Sequence, residues 1–286
     1  MVAEASVLTE QLNRCSSPYR DPLSRIEWDK LDMDAWWLPE SAVSLYGLPI
    51  YESLPEPQRK RLSQYEFINF IEKALWLEGI FMERISRALA DSLGQPSQTV
   101  YRLHELREEA GHSLMFMELI RRSRLPITSA AFKRPRLATW VGRHAPYSSA
   151  AFWIAVLIGE QVPDRMNRTI RKHRGEIAPT VYDIITVHAI DEARHIVHAR
   201  ETLHECFPHG GQLTPLYLPL LNRIFRQFVH AFYFPTPELY RQAGLDAPQL
   251  WARRARANPS RISFIDECVA GTVRELGAKK LPVNWR

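Results

Sequence analysis

The chain has 286 residues, 45% of them hydrophobic and 24% charged, and a formal net charge of +5. That balance describes a folded chain, not a disordered one, and is compatible with one helical core carrying extra terminal segments. Cys15, Cys206 and Cys268 lie far apart and form neither a zinc spacing nor a disulfide framework, and the longest apolar run, 150–159, is too short to span a bilayer.

In chain order, residues 1–10 carry acidic residues and no long apolar core, so no signal peptide is expected there. Residues 1–60, rich in Pro, Trp and Tyr, read as an arm with short helices packed on the core; residues 61–286 read as the main helical domain. Ser63 and Glu66 have capping-box spacing, and Phe67, Ile71, Ala74, Leu75, Phe81, Met82 and Ile85 recur at helical intervals until Gly94 and Pro96. A second helix is expected over 97–123, with Leu103, Leu106, Ala110 and Met117 inward. A linker with Pro126, Pro135 and Pro146 follows, long enough to cross between two helical hairpins. The third helix is expected from about Ser148 to Gly175, with Pro163 favouring a kink. The fourth runs from Pro179 to before Pro208 and Gly210-Gly211, and further helices are expected near 215–234, 236–257 and 260–277. The basic clusters at 121–124, 133–136 and 253–256 read as solvated helix ends and loops, with no interleaved aromatic residues to suggest nucleic-acid binding.

One signature is doubled. Glu109-Ala110-Gly111-His112 and Glu192-Ala193-Arg194-His195 both read Glu-x-x-His, and each follows a helix bearing a lone glutamate on its apolar face, Glu78 and Glu160. Glu78 lies 16 residues before Gly94, and Glu109 and His112 lie 12 and 15 residues after Ser97. The second hairpin repeats these depths, so all the groups meet in one layer of an all-α, ferritin-like four-helix bundle with extra N- and C-terminal helices. Unpaired carboxylates in such a core would cost several kcal/mol each. Two divalent ions would balance four glutamates. Mixed carboxylate and imidazole donors suit iron, and manganese fits the same donors. His188 lies one turn before Glu192 on the same stripe and points at the same site. Asp191 and Glu108, each preceding a motif glutamate, are placed to reach the free ring nitrogens of His112 and His195 across the bundle. His104 and His198 read as core or surface histidines, and Tyr101, Tyr147 and Tyr182 as packing residues unless the protein generates a radical.

Over about residues 60–206 the pattern resembles the diiron arylamine N-oxygenases, with four glutamates and three histidines at Glu78, Glu109, His112, Glu160, His188, Glu192 and His195. The resemblance implies an oxidoreductase with two iron ions and O₂ as co-substrate, which oxidises an amine to a hydroxylamine, nitroso or nitro product. It also implies an external electron donor and a homodimer, for which the apolar and aromatic residues of the late helices, such as Phe225, Phe228, Phe232 and Tyr233, would supply surface unless they cover the bundle. The scattered cysteines suit a cytoplasmic location, and no nucleic-acid or membrane partner is expected. A C–H hydroxylase or desaturase, and an iron-storage protein, are the alternatives that the same bundle supports.

Overall fold

The computed structural model describes residues 2–90, 95–128, 132–206 and 217–286, and the regular structure among them is helical. An N-terminal helix α1 (Val2–Ser16) leads through three single 3₁₀ turns and a short α2 (Pro49–Glu52) into the bundle. The bundle consists of α3 (Glu56–Ala90), α4 (Pro96–Ser123), α6 (Ala150–Arg171) and α7 (Pro179–Cys206). A crossover helix α5 (Arg136–His144) joins its two halves; α8 (Tyr217–Tyr233), α9 (Pro237–Gln242), α10 (Pro248–Ala257) and α11 (Pro259–Ala278) follow. The strongest pairings are α3 with α4 and α6 with α7; α3 also touches α6, and α4 touches α7.

Local chemistry sets these boundaries. Ser149 Oγ accepts the Phe152 amide at 3.3 Å and caps α6. Pro179 opens α7, where its missing N–H costs nothing. Arg124, at φ 52°, ends α4 in the left-handed conformation, two residues before Pro126. Phe67, Ile71, Phe116, Leu119, Leu157, Val162, Ile184 and Ile185 form one apolar core between the four helices. Burying each such side chain stabilises by about 1.5–3 kcal/mol.

Several sequence expectations are corrected. The first bundle helix begins at Glu56, before the Ser63–Glu66 pair, and Ser63 Oγ donates to the Lys60 carbonyl inside it. Glu66 accepts from the Ser44 amide and hydroxyl instead of closing a capping box. The charged stretch 56–61 hid this first turn from a reading based on apolar spacing. On α4, Leu103 and Met117 are 51% and 52% exposed; the inward face is Tyr101, Glu105, Glu108, Glu109, His112, Phe116 and Leu119. Polar residues own much of that inward face, so an apolar stripe is the wrong guide there. The linker carries α5, and the 236–257 segment divides into α9 and α10. The Gly94 turn and the Pro208 and Gly210-Gly211 stop lie outside the described residues. α6 runs as one helix through Pro163.

The N-terminal segment packs on the bundle. α1 lies against α4 and α7, and the turn Pro22–Arg25 lies against the same two helices. Gly111 permits this: a Cβ there would stand 2.8 Å from Tyr19 Oη and 2.9 Å from Pro22 Cδ. At the other side, α8 covers α3, α5 and α6. Phe225, Phe228, Phe232 and Tyr233 are on its buried face, so they offer no subunit interface. Among the described residues no helix is long and apolar enough to cross a membrane.

Candidate metal centre

One to three inward-facing residues from each bundle helix reach the same layer. Glu78 comes from α3, Glu109 and His112 from α4, Glu160 from α6, and His188, Glu192 and His195 from α7. Two groups of donor atoms stand close enough to hold an ion each: Glu78, His112, His188 and Glu192, and Glu109, Glu192 and His195. Glu192 belongs to both. Its Oε1 is 3.0 Å from His188 Nε2 and 3.4 Å from His112 Nδ1, and its Oε2 is 3.4 Å from His195 Nδ1. Glu109 also faces both ways, with Oε2 3.2 Å from His112 Nδ1 and Oε1 2.9 Å from His195 Nδ1. Glu160 is half-buried, lies beside Glu192, whose charge acts on it, and lines an adjoining cavity.

The remaining ring nitrogens are held from behind. His112 Nε2 lies 3.4 Å from Asp191 Oδ2, and His195 Nε2 lies 2.9 Å from Glu108 Oε2. These are the two cross-helix pairs that the motif positions suggest. With Nε2 donating in each ring, Nδ1 is left as a lone pair facing the carboxylates. Sequence reasoning missed three further residues. Arg194 bridges the two acids, at 2.9 Å from Glu108 Oε1 and 3.1 Å from Asp191 Oδ1. Arg25, from the N-terminal segment, donates to Asp191 Oδ2 at 2.8 Å. Asn167 places Nδ2 2.9 Å from His188 Nδ1 and leaves its own Oδ1 buried without a partner. A half-turn of that amide gives Oδ1 the Nδ1–H that an inward-facing Nε2 requires. Arg194 stands inside the second Glu-x-x-His and Asn167 two turns after Glu160, so spacing could have found both; Arg25 carries no local signal.

The electrostatics fit a cation pair. Burial, reinforced by Glu109 and Glu192 nearby, pushes the carboxyls of Glu78 and Glu160 well above the usual range. Burial opposes charge on His112, but Asp191, Glu109 and Glu192 outweigh it and raise its imidazolium to about 9. His195 is raised in the same way, chiefly by Glu109 and Glu192 against burial. Burial would likewise raise Asp191, yet His112, Arg25 and Arg194 hold it down at about 2. Glu109 Oε1, Glu192 Oε2 and His195 Nδ1 are buried with no hydrogen-bond partner. Buried lone pairs without donors, converging from four helices, are the chemistry of a metal-ligand set.

Other candidates stay apart. His198 Nδ1 faces Glu105 Oε1 at 3.3 Å, His104 neighbours Arg107, and Tyr101 stacks edge-on to His198. Beside the centre lies a cavity of about 790 Å³, counted out to its open mouth. Trp76, Phe81, Phe152 and Phe228 are among its walls, and Glu78, Glu160, His188 and Glu192 form its polar end. Pro163 lines it too, and its missing N–H leaves the Gly159 carbonyl without its regular helical donor.

The fold and site have relatives. An uncharacterized protein of Mycobacterium bovis is 25% identical over 232 residues, covering 77% of this chain and 66% of its own length. One from Mycobacterium tuberculosis is 25% identical over 240 residues, covering 81% and 65%. The chain thus spans about two thirds of the length of the curated relatives it matches. Among solved structures, a variant of an R2-like ligand-binding oxidase with an aerobically reconstituted Mn/Fe cofactor superposes with a TM-score of 0.55 at 13% identity, over 99% of this chain and 94% of that one. That likeness shows the ferritin-like fold. The family model for p-aminobenzoate N-oxygenase AurF matches residues 3–278, and the chain belongs to that family of diiron oxygenases.

Proposed function

We propose that the chain is a non-haem diiron oxygenase that uses O₂ to oxidise an amine nitrogen. The observation that carries this reading is the set of six buried donors, Glu78, Glu109, His112, His188, Glu192 and His195, with half-buried Glu160 beside them, opening on one side to an apolar cavity. His112, His188 and Glu78 would hold one metal, His195 and Glu160 the other, and Glu109 and Glu192 would join them. Iron is the favoured metal, and manganese suits the same donors. When bound, the metal pair supplies O₂ reduction.

The first oxidation balances as R–NH₂ + O₂ + 2e⁻ + 2H⁺ → R–NHOH + H₂O. An N–O bond forms, the O–O bond breaks, and an external two-electron donor provides the reducing equivalents. The protein's own part is placement. The cavity holds the substrate with its nitrogen toward Glu160 and Glu192 and keeps bulk water from the reacting atoms. Asp191 and Glu108 fix the tautomers of His112 and His195, and Arg194 ties the two acids together. Further oxidation to nitroso or nitro products belongs to the same proposal, as do a cytoplasmic location and a homodimer.

A second reading rests on the apolar cavity wall, which would equally seat a hydrocarbon for C–H hydroxylation or desaturation. Reduced, iron-loaded protein exposed to ¹⁸O₂ with matched amines and hydrocarbons separates the two. Label on nitrogen supports the proposal, and label only on carbon moves the protein to the second reading.

A further inference from the structure

The cavity beside the metal centre is polar at one end only. Its acidic and imidazole groups all belong to the centre, and the remaining lining side chains are aromatic, aliphatic, Ala, Gly or Pro. No lysine or arginine is among them. The segments outside the described residues, 91–94, 129–131 and 207–216, contain none in their sequence either. Among the described residues, Arg84 packs on a lining side chain, its guanidinium 5.1 Å from the Phe152 ring centre. It is committed elsewhere, donating to the Arg143 carbonyl at 2.6 Å and the Ala145 carbonyl at 2.5 Å at the end of α5.

Resting on the amine-oxygenase reading, we propose that the site takes an uncharged aromatic amine with an apolar group opposite the nitrogen, and selects against a carboxylate there. The family's name-giving compound, p-aminobenzoate, is therefore a poor substrate for this chain. An anion at the apolar end would lose its hydration and find no cation in return among the described lining residues, where the unpaired indole N–H of Trp76 is the one side-chain donor outside the centre and leaves the charge unbalanced. Turned round, its carboxylate would face the metal centre and carry the nitrogen away from it. An aryl group suits walls built from Trp76, Phe81, Phe152 and Phe228. An arylamine is also uncharged at neutral pH with its lone pair free, whereas an alkylamine arrives protonated. The Gly159 carbonyl, left without its helical donor by Pro163 and beside Glu160 in the lining, is a fitting acceptor for the amine N–H.

The test compares p-aminobenzoate with its methyl ester, which keeps ring and amine and removes only the charge. Binding to the metal-loaded protein is measured by calorimetry, and product by mass spectrometry under ¹⁸O₂. The ester is expected to bind at least tenfold more tightly than the acid. Ala138, half-buried on α5 and in the cavity wall, accepts a longer side chain. Ala138→Arg should narrow or reverse the preference, and Ala138→Leu should leave it in place. Equal binding of acid and ester, tighter binding of the acid, or binding of neither overturns the proposal. An ester that binds tightly but is not oxygenated at nitrogen overturns the amine reading and leaves the cavity preference standing. An acid that binds as well as the ester and is oxygenated at nitrogen does the reverse.

Discussion

Asp191→Asn should weaken one half of the metal centre and spare the other. Asp191 serves three donors: Oδ2 faces His112 Nε2 at 3.4 Å and Arg25 Nη1 at 2.8 Å, and Oδ1 faces Arg194 Nη2 at 3.1 Å. Asparagine has the same shape but one oxygen. Whichever way its amide turns, an NH₂ group meets a donor, and the charge that anchors the His112 tautomer is gone. Loss of such an outer partner typically costs 10–100-fold in metal affinity, or about 1.4–2.7 kcal/mol. The loss should fall on the position faced by His112, His188 and Glu78. Glu108→Gln should act at the other position, through His195. Titration of metal-free protein with Co²⁺ against a competing chelator, followed by visible absorption, resolves the two steps. Arg25→Ala, which removes a clamp without touching His112 directly, should have a smaller effect. Unchanged affinities in both variants, or loss at the same step in both, would refute this reasoning.

Other outcomes follow from the same contacts. Gly111→Ala should destabilise the fold by about 1–3 kcal/mol, because its Cβ would meet Tyr19 and Pro22 at under 3 Å; denaturant melts measure this, and an unchanged midpoint contradicts it. In metal-free protein, the imidazolium of His112 is held up to about 9 against an ordinary 6.5, so its contribution is complete below pH 6.5 and lost as pH rises through 9. His195, Glu78 and Glu160 are shifted in the same direction and add to that loss. The melting temperature of the metal-free form should therefore fall across that window, while the metal-loaded form stays level. If the protein is a dimer, the stripe Leu103, Leu114 and Met117 on α4, 51%, 60% and 52% exposed, is the face to pair. Leu103→Glu with Met117→Glu should then yield monomers in sedimentation, and a wild-type monomer removes the dimer.

The sequence made the meeting of the seven residues legible because helix length and turn position fix depth, and both hairpins repeat the same depths. It made the four long helices legible for a related reason, since Ser149, Pro179 and Pro126 mark ends by local chemistry. It misled at Ser63, where a capping pattern sits in mid-helix, and at Leu103 and Met117, where an apolar stripe points outward. In α4 the inward stripe is partly acidic, so hydrophobic periodicity selects the wrong face. Phe225, Phe228 and Phe232 look like exposed surface until α8 is laid over α3 and α6. Arg25 was out of reach because its contact with Asp191 spans 166 residues and follows no spacing rule. Asn167, two turns after Glu160, could be placed near the site by spacing, but its contact is set by the orientation of the His188 ring.

The central claim is that these seven side chains hold two metals. Anomalous diffraction at the iron edge, from crystals of iron-reconstituted protein, tests it most directly. The expected result is two peaks between Glu109 and Glu192, one within about 2.0–2.3 Å of ring nitrogens of His112 and His188 and the other equally near His195. A single peak, peaks outside this layer, or a His188 ring turned away in the fully loaded protein would contradict it.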